Sequence, residues 1–152
     1  DHHSGTDRCY EAYRKSESKA EIIVNVQGDE PFIHPEQLKA VIKCFDDEAC
    51  DIATLVKPFK QTDTLETLLN PNSPKVVVDK KGYAIYAYRA TTLKQITTLE
   101  QTPLELCESL EQLRWLENGL KIKTALTCRE TVGIDTPEDL KRAELFLNRE
   151  ER

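Results

Sequence analysis

The sequence predicts an α/β fold with a mostly parallel central sheet flanked by helices, and three observations lead there. Apolar runs of strand length recur at residues 22–26, 52–56 and 122–126. Segments with apolar residues at helical spacing lie between them, and Gly, Pro and Asn punctuate the changes from one to the other. Strands alternating with helices favour parallel neighbours, because each crossover helix carries the chain back to the starting end of the sheet, leaving ligands at the carboxyl ends of the strands.

Taken in order, Thr6 is suited to cap a first helix reaching about Lys15, its hydroxyl accepting an early N–H and Asp7 favouring the positive helix end. Ile22, Ile23, Val24 and Val26 form a β-branched run that fits a central strand covered on both faces. From residue 35 to 45, Leu38, Val41, Ile42 and Phe45 mark a helix with one apolar stripe. Residues 52–56 read as a second buried strand. Two prolines in Asn70-Pro71-Asn72-Ser73-Pro74 make residues 60–74 a loop. Strand character returns over 75–78, Asp79-Lys80-Lys81-Gly82 signals a hairpin turn, and 83–88 is the returning strand. A long helix is expected from Pro103 to Asn118, with Leu106, Leu110 and Leu113 inward, Glu108, Glu111, Gln112 and Trp115 projecting away, and Gly119 as terminator. Residues 122–126 rejoin the sheet. Thr136-Pro137-Glu138-Asp139 then supplies a cap, a first-turn proline and acids for a closing helix to about Asn148.

At 152 residues the chain suits one cored domain spanning 1–152. Its 21 basic and 27 acidic residues leave a formal charge of −6, which argues against a general nucleic-acid or anionic-membrane surface. Cys9, Cys44, Cys50, Cys107 and Cys128 are odd in number, without CxxC pairing or a histidine at zinc spacing. They read as reduced, mostly structural thiols of a cytoplasmic protein. No apolar run approaches membrane-spanning length and no leader opens the chain. It starts at Asp1 rather than Met, so further sequence is expected upstream.

Two acidic runs carry the functional reading, Gln27-Gly28-Asp29-Glu30-Pro31 and Gly133-Ile134-Asp135-Thr136-Pro137. Each follows a strand-like segment, where a carboxylate can point into a crevice with little freedom, and two such carboxylates can share a divalent cation. Both runs also fit plain roles, Asp29 in a strand-to-helix turn and Asp135 in a helix start. Ser4-Gly5-Thr6-Asp7-Arg8 offers a helix amino terminus and a cation for an anionic or carbonyl-bearing ligand, or simply a cap. Glu111 beside Gln112 supplies acceptors and donors suited to a polyhydroxylated substrate, although such a face is usually solvated. Lys75 reads as a surface charge before a phosphate contact. His2 and His3 are assigned no metal.

Together with Asp1-His2-His3, Val24-Asn25-Val26, Asn70-Pro71-Asn72 and Ser109-Leu110-Glu111-Gln112-Leu113-Arg114, these blocks closely resemble the 3-deoxy-manno-octulosonate (KDO) cytidylyltransferases in order and spacing. The resemblance implies a Rossmann-like nucleotide-diphospho-sugar transferase fold and the coupling of CTP to KDO, giving CMP-KDO and pyrophosphate for lipopolysaccharide biosynthesis. It implies Mg²⁺ held by Asp29 and Asp135 and acting in catalysis through them, sugar-acid contacts from Gln27, Glu111, Gln112 and Tyr86, and cytidine contacts from Ser4, Gly5, Thr6 and Arg8. CTP and KDO are the expected partners, with neither nucleic acid nor membrane, and pairing as a homodimer fits the family.

Two departures accompany the resemblance. The family's triphosphate-cradling PARxxSxRxPxK loop does not occur here, and Ala84-Ile85-Tyr86-Ala87-Tyr88-Arg89 reads as the join of two strand ends that the family separates by a longer stretch with a histidine. The chain therefore matches roughly the carboxyl-terminal two thirds of a member, with an internal segment absent near residues 85–87. Alternatives left open are another sugar-acid nucleotidyltransferase and a non-catalytic binding fragment of the same fold.

Overall fold

A computed structural model describes residues 2, 4–56, 82–129, 133, 134 and 136–150. Helix α1 (Gly5–Lys15) leads to strand β1 (Ile22–Asn25), then α2 (Pro35–Lys43) with a 3-10 turn at Cys44–Asp46, and β2 (Ile52–Val56). Strand β3 (Gly82–Arg89) runs into α3 (Ala90–Ile96), followed by α4 (Pro103–Glu108), α5 (Glu111–Glu117), β4 (Ile122–Leu126) and α6 (Pro137–Glu150). The expected loop over 60–74, the strand over 75–78 and the turn over 79–81 lie outside the described residues, as do Lys75, His3 and Asp135.

The strand order is β1-β3-β2-β4. Strand β3 is antiparallel to both of its neighbours, whereas β2 and β4 are parallel, so β1, β2 and β4 share one direction and the sheet is mixed. Its centre is β2, whose five residues are all buried. Among the described residues strand β1 ends the order and is half-buried, where its β-branched run predicts a central strand. The β-branched run does have apolar cover on both faces: Ile22 and Val24 pack on one core cluster and Ile23 on the other. A covered face and a paired edge are separate properties, and residue type reports only the first. Strand β3 pairs with β1 and β2, and the hairpin partner expected for it over 75–78 lies outside the described residues.

The two clusters make the fold layered. On one side Val41 and Phe45 meet Cys50, Leu55, Ile85 and Ala87. On the other, Ile52 and Tyr88 meet Leu93, Ile96 and Trp115. Alternation along β3 sends Ile85 and Ala87 one way and Tyr86 and Tyr88 the other, as a pleated strand buried on both faces must. The ladder slips between Thr54, which pairs with Tyr86, and Leu55, which pairs with Tyr83. Within that irregularity the Thr54 hydroxyl donates to the Ile85 carbonyl at 2.7 Å, so a carbonyl displaced from the ladder keeps a partner. At the strand end Arg89 donates from Nε to Cys50 O (2.8 Å) and from Nη2 to Asp47 O (3.0 Å), its guanidinium lying over the Phe45 ring.

The helix ends depart from expectation in three places. Ser4, not Thr6, caps α1: its hydroxyl accepts the Asp7 N–H and the Asp7 carboxylate accepts the Ser4 N–H. The single helix expected from Pro103 is two, broken where Ser109 takes a left-handed φ of 55° and Leu110 an extended one. The break re-phases the second half. Trp115, expected to project outward, is 1% exposed, while Leu106, expected inward, is 63% exposed. Helix α3 was not anticipated. Gly119 does take positive φ after α5, and α6 begins as expected, with Thr136 and Asp139 capping each other. Among the described residues no helix is long and apolar enough to cross a membrane.

Candidate functional site

Past the end of β1 the chain turns at Gln27–Glu30, where the Glu30 N–H donates to the Gln27 carbonyl at 3.1 Å. Gln27 and Gly28 are exposed and Asp29 is half-buried. A Cβ on Gly28 would meet nothing within 4 Å, so open space lies beside that backbone. The Ile134 N–H donates to the Asp29 carbonyl at 2.8 Å, and a Cβ on Gly133 would stand 3.4 Å from Glu30 Oε1. Thus the two acidic runs, far apart in sequence, meet through their backbones. Asp135 itself lies outside the described residues. Among the described residues no three His, Cys, Asp or Glu side chains converge as a ready metal site.

A second cluster forms where α1 meets α5. Thr6 is 4% exposed and its hydroxyl donates to Glu111 Oε2 at 2.8 Å. The Thr6 hydroxyl thus bonds Glu111 and also the Tyr88 phenol, the Ser4 hydroxyl accepts the Asp7 N–H, and Arg8 is exposed. The other Glu111 oxygen, Oε1, accepts from Arg114 Nη2 at 2.8 Å. Arg114 also donates from Nη1 to the Leu99 carbonyl at 2.9 Å and holds Glu105 in an ion pair, Nε to Oε2, at 3.3 Å. That last contact is an ion pair without hydrogen-bond alignment, since neither Nε nor Oε2 has a hydrogen-bond partner. Gln112 is half-buried on the same helix.

Tyr86 stands edge-on to Trp115 at 5.3 Å between ring centroids and stacks near Tyr88 at 6.3 Å. Burial, and secondarily the charge of Glu111, pushes its phenol up to about 12, so it is a neutral hydroxyl at physiological pH. Tyr86 therefore shares its surroundings with Glu111. A cleft of about 810 Å³ borders the cluster, with Ser4, Asp7, Leu99, Glu105, Glu111 and Arg114 among its walls. Neither Gln27 nor Asp29 lines it. Sequence reasoning missed Arg114, one helical turn after Glu111, and Glu105, which sits on the preceding helix α4. An arginine three residues after an acid, on a face otherwise read as solvated, was the available signal.

A sequence model described as Cytidylyltransferase matches residues 1–93. The 3-deoxy-manno-octulosonate cytidylyltransferase of Parabacteroides distasonis is 52% identical over 177 positions, covering 96% of this chain and 70% of the relative. The chain belongs to that family. The 3-deoxy-manno-octulosonate cytidylyltransferase of Phocaeicola vulgatus is 53% identical over 180 positions, covering 99% of this chain and 71% of the relative. The solved structure of a CMP:2-keto-3-deoxy-manno-octonic acid synthetase complexed with CTP is similar with a TM-score of 0.87 at 32% identity, over 99% of this chain and 70% of that one. The mixed sheet with helices on both faces is therefore the Rossmann-like fold of a nucleotidyltransferase family.

Proposed function

We propose that this protein couples CTP to KDO, releasing pyrophosphate and supplying CMP-KDO for lipopolysaccharide biosynthesis in the cytoplasm. The observation that carries this reading is the Ile134 to Asp29 hydrogen bond, which sets the residue before Asp135 against the Asp29 turn. In the reaction the anomeric hydroxyl oxygen of KDO forms a bond to the α-phosphorus. The bond from that phosphorus to the bridging oxygen breaks, pyrophosphate leaves with the electron pair, and the hydroxyl proton passes to solvent.

Hard oxygen donors from two backbone-linked turns fit Mg²⁺, and Asp29 and Asp135 would hold it. When bound, it supplies positive charge against the charge developing on the phosphoryl oxygens. Gln27, Gln112, Glu111 and the neutral Tyr86 phenol offer hydrogen bonds to the sugar acid. Gly5 and Arg8, with the amino terminus of α1, favour the anionic nucleotide. Holding both substrates in one orientation removes much of the entropic barrier to their meeting.

The alignment to the P. distasonis relative runs over 177 positions, more than the 152 residues here, so stretches of the relative have no counterpart in this chain. Together with the slipped ladder around Ile85, this supports the reading of an absent segment near residues 85–87. The test is pyrophosphate release from CTP and Mg²⁺ with and without KDO. Release that requires KDO supports the proposal, and release independent of KDO, or none with any sugar acid, contradicts it.

A further inference from the structure

A carboxylate has about four lone-pair sites to satisfy. Glu111 gives one oxygen to the Thr6 hydroxyl and the other to Arg114, each at 2.8 Å, the first partner 105 residues away and the second three residues on in the same helix. Arg114 is itself fixed. Its side chain is 13% exposed, with Nη1 on the Leu99 carbonyl and Nε paired with Glu105, whose side chain is 7% exposed. Glu111 keeps 26% of its side chain exposed and forms part of the cleft wall. A flexible side chain is thus held on both oxygens by one buried and one partly buried partner while the residue still lines the cleft. Such preorganisation lowers the ordering cost of binding a ligand.

Resting on the reading of Glu111 as a sugar-acid contact, we infer that Thr6 and Arg114 are positioning residues that set the Glu111 carboxylate as a fixed acceptor for substrate hydroxyls. With two of its sites taken, the carboxylate has roughly two left for hydroxyl donors. Being acceptor-only, it disfavours a second carboxylate, so it receives the hydroxyl-bearing part of the sugar acid and turns its carboxylate elsewhere. Thr6 lies in the first turn of α1, so the nucleotide-facing helix start and the sugar-facing helix share one hydrogen bond.

A plain tie between helices would lower stability without distinguishing the two substrates. The experiment is calorimetric titration of KDO, and separately of CTP, each with Mg²⁺, into the unaltered chain and into Glu111→Gln, Thr6→Val, Thr6→Ser and Arg114→Lys. Circular dichroism checks the fold of each. Expected for Thr6→Val is a loss of KDO affinity of about tenfold, the size of one hydrogen bond to a charged group, and larger than its loss of CTP affinity. Thr6→Ser, which keeps the donor, restores KDO binding, and Arg114→Lys, which loses the fork, weakens it about tenfold. Should Arg114→Lys fail to fold, the Thr6 pair decides. If Glu111→Gln weakens KDO binding while Thr6→Val binds it as the unaltered chain does, the positioning role is wrong and the reading of Glu111 stands. If Glu111→Gln binds KDO unchanged, or the unaltered chain binds none, the reading of Glu111 itself fails.

Discussion

Trp115 joins the α5 face to the sheet, and its replacement separates packing from polar terms. The indole is 1% exposed and stands edge-on to Tyr86 and Tyr88 at 5.3 and 5.7 Å, yet its Nε1 has no hydrogen-bond partner. Trp115→Ala removes both ring pairs and leaves a cavity, with an expected cost of about 3–5 kcal/mol. That is a large share of the roughly 5–15 kcal/mol that holds a typical domain folded. Trp115→Phe keeps a ring against both tyrosines and removes the buried unpartnered N–H. The lost volume and the relieved desolvation then oppose each other, leaving a net cost of about 1 kcal/mol. Urea unfolding followed by far-ultraviolet circular dichroism measures both, since Trp115 is the only tryptophan and its fluorescence vanishes with it. Equal costs for the two variants would refute the reasoning, because they would mean that a ring kept against the two tyrosines contributes nothing.

Other outcomes follow from the same packing. Cys107 and Cys128 are exposed, whereas burial raises the thiols of Cys44 and Cys50, so a thiol reagent at pH 8 should label the first pair rapidly and the second only on unfolding. Simultaneous labelling of all four would contradict the packing. The Tyr86 phenol, raised from 10.0 to about 12, contributes stability that is intact below pH 10 and lost as pH climbs through its folded value. Tyr86→Phe should therefore move alkaline unfolding to higher pH, and an unchanged midpoint would count against its burial. Glu11 and Glu36 are held below their ordinary 4.5 first by hydrogen bonds from Lys15 and Arg129. Their small, exposed contributions are present above pH 4.5 and fade as pH falls through the lowered values, so acid titration of stability should be flatter in 1 M salt. Arg89→Met takes the side-chain donor from the Cys50 and Phe45 carbonyls and one of two donors from the Asp47 carbonyl, which keeps the Cys50 N–H, and should cost about 2–4 kcal/mol in urea unfolding.

Much of the framework was legible where local chemistry and global role agree. Strands β2 and β4 begin and end where their apolar runs do, and the Thr136-Pro137-Glu138-Asp139 start of α6 carries its own caps. The break at Ser109 was hidden because a serine in left-handed conformation carries none of the Gly or Pro punctuation that marks such bends. Crossing it unbroken inverted the burial of Leu106 and Trp115. The true cap of α1 lay two residues before the expected one, and Thr6 was free for a different task. That task, the bond to Glu111, spans 105 residues. No local spacing encodes such a contact, which exists only once β3 has brought its tyrosine face between α1 and α5. The meeting of the two acidic runs was readable only from their family-like order, since each alone fits an ordinary turn or cap.

The most direct test is a double-mutant cycle on divalent-ion binding, with Mn²⁺ titrated at saturating CTP into the unaltered chain, Asp29→Asn, Asp135→Asn and the double variant, followed by electron paramagnetic resonance. Two carboxylates serving one ion should give single losses each nearly as large as the double, a strongly non-additive pattern. Losses that simply add, or single variants that bind Mn²⁺ as the unaltered chain does, would mean that Asp29 and Asp135 do not share a cation.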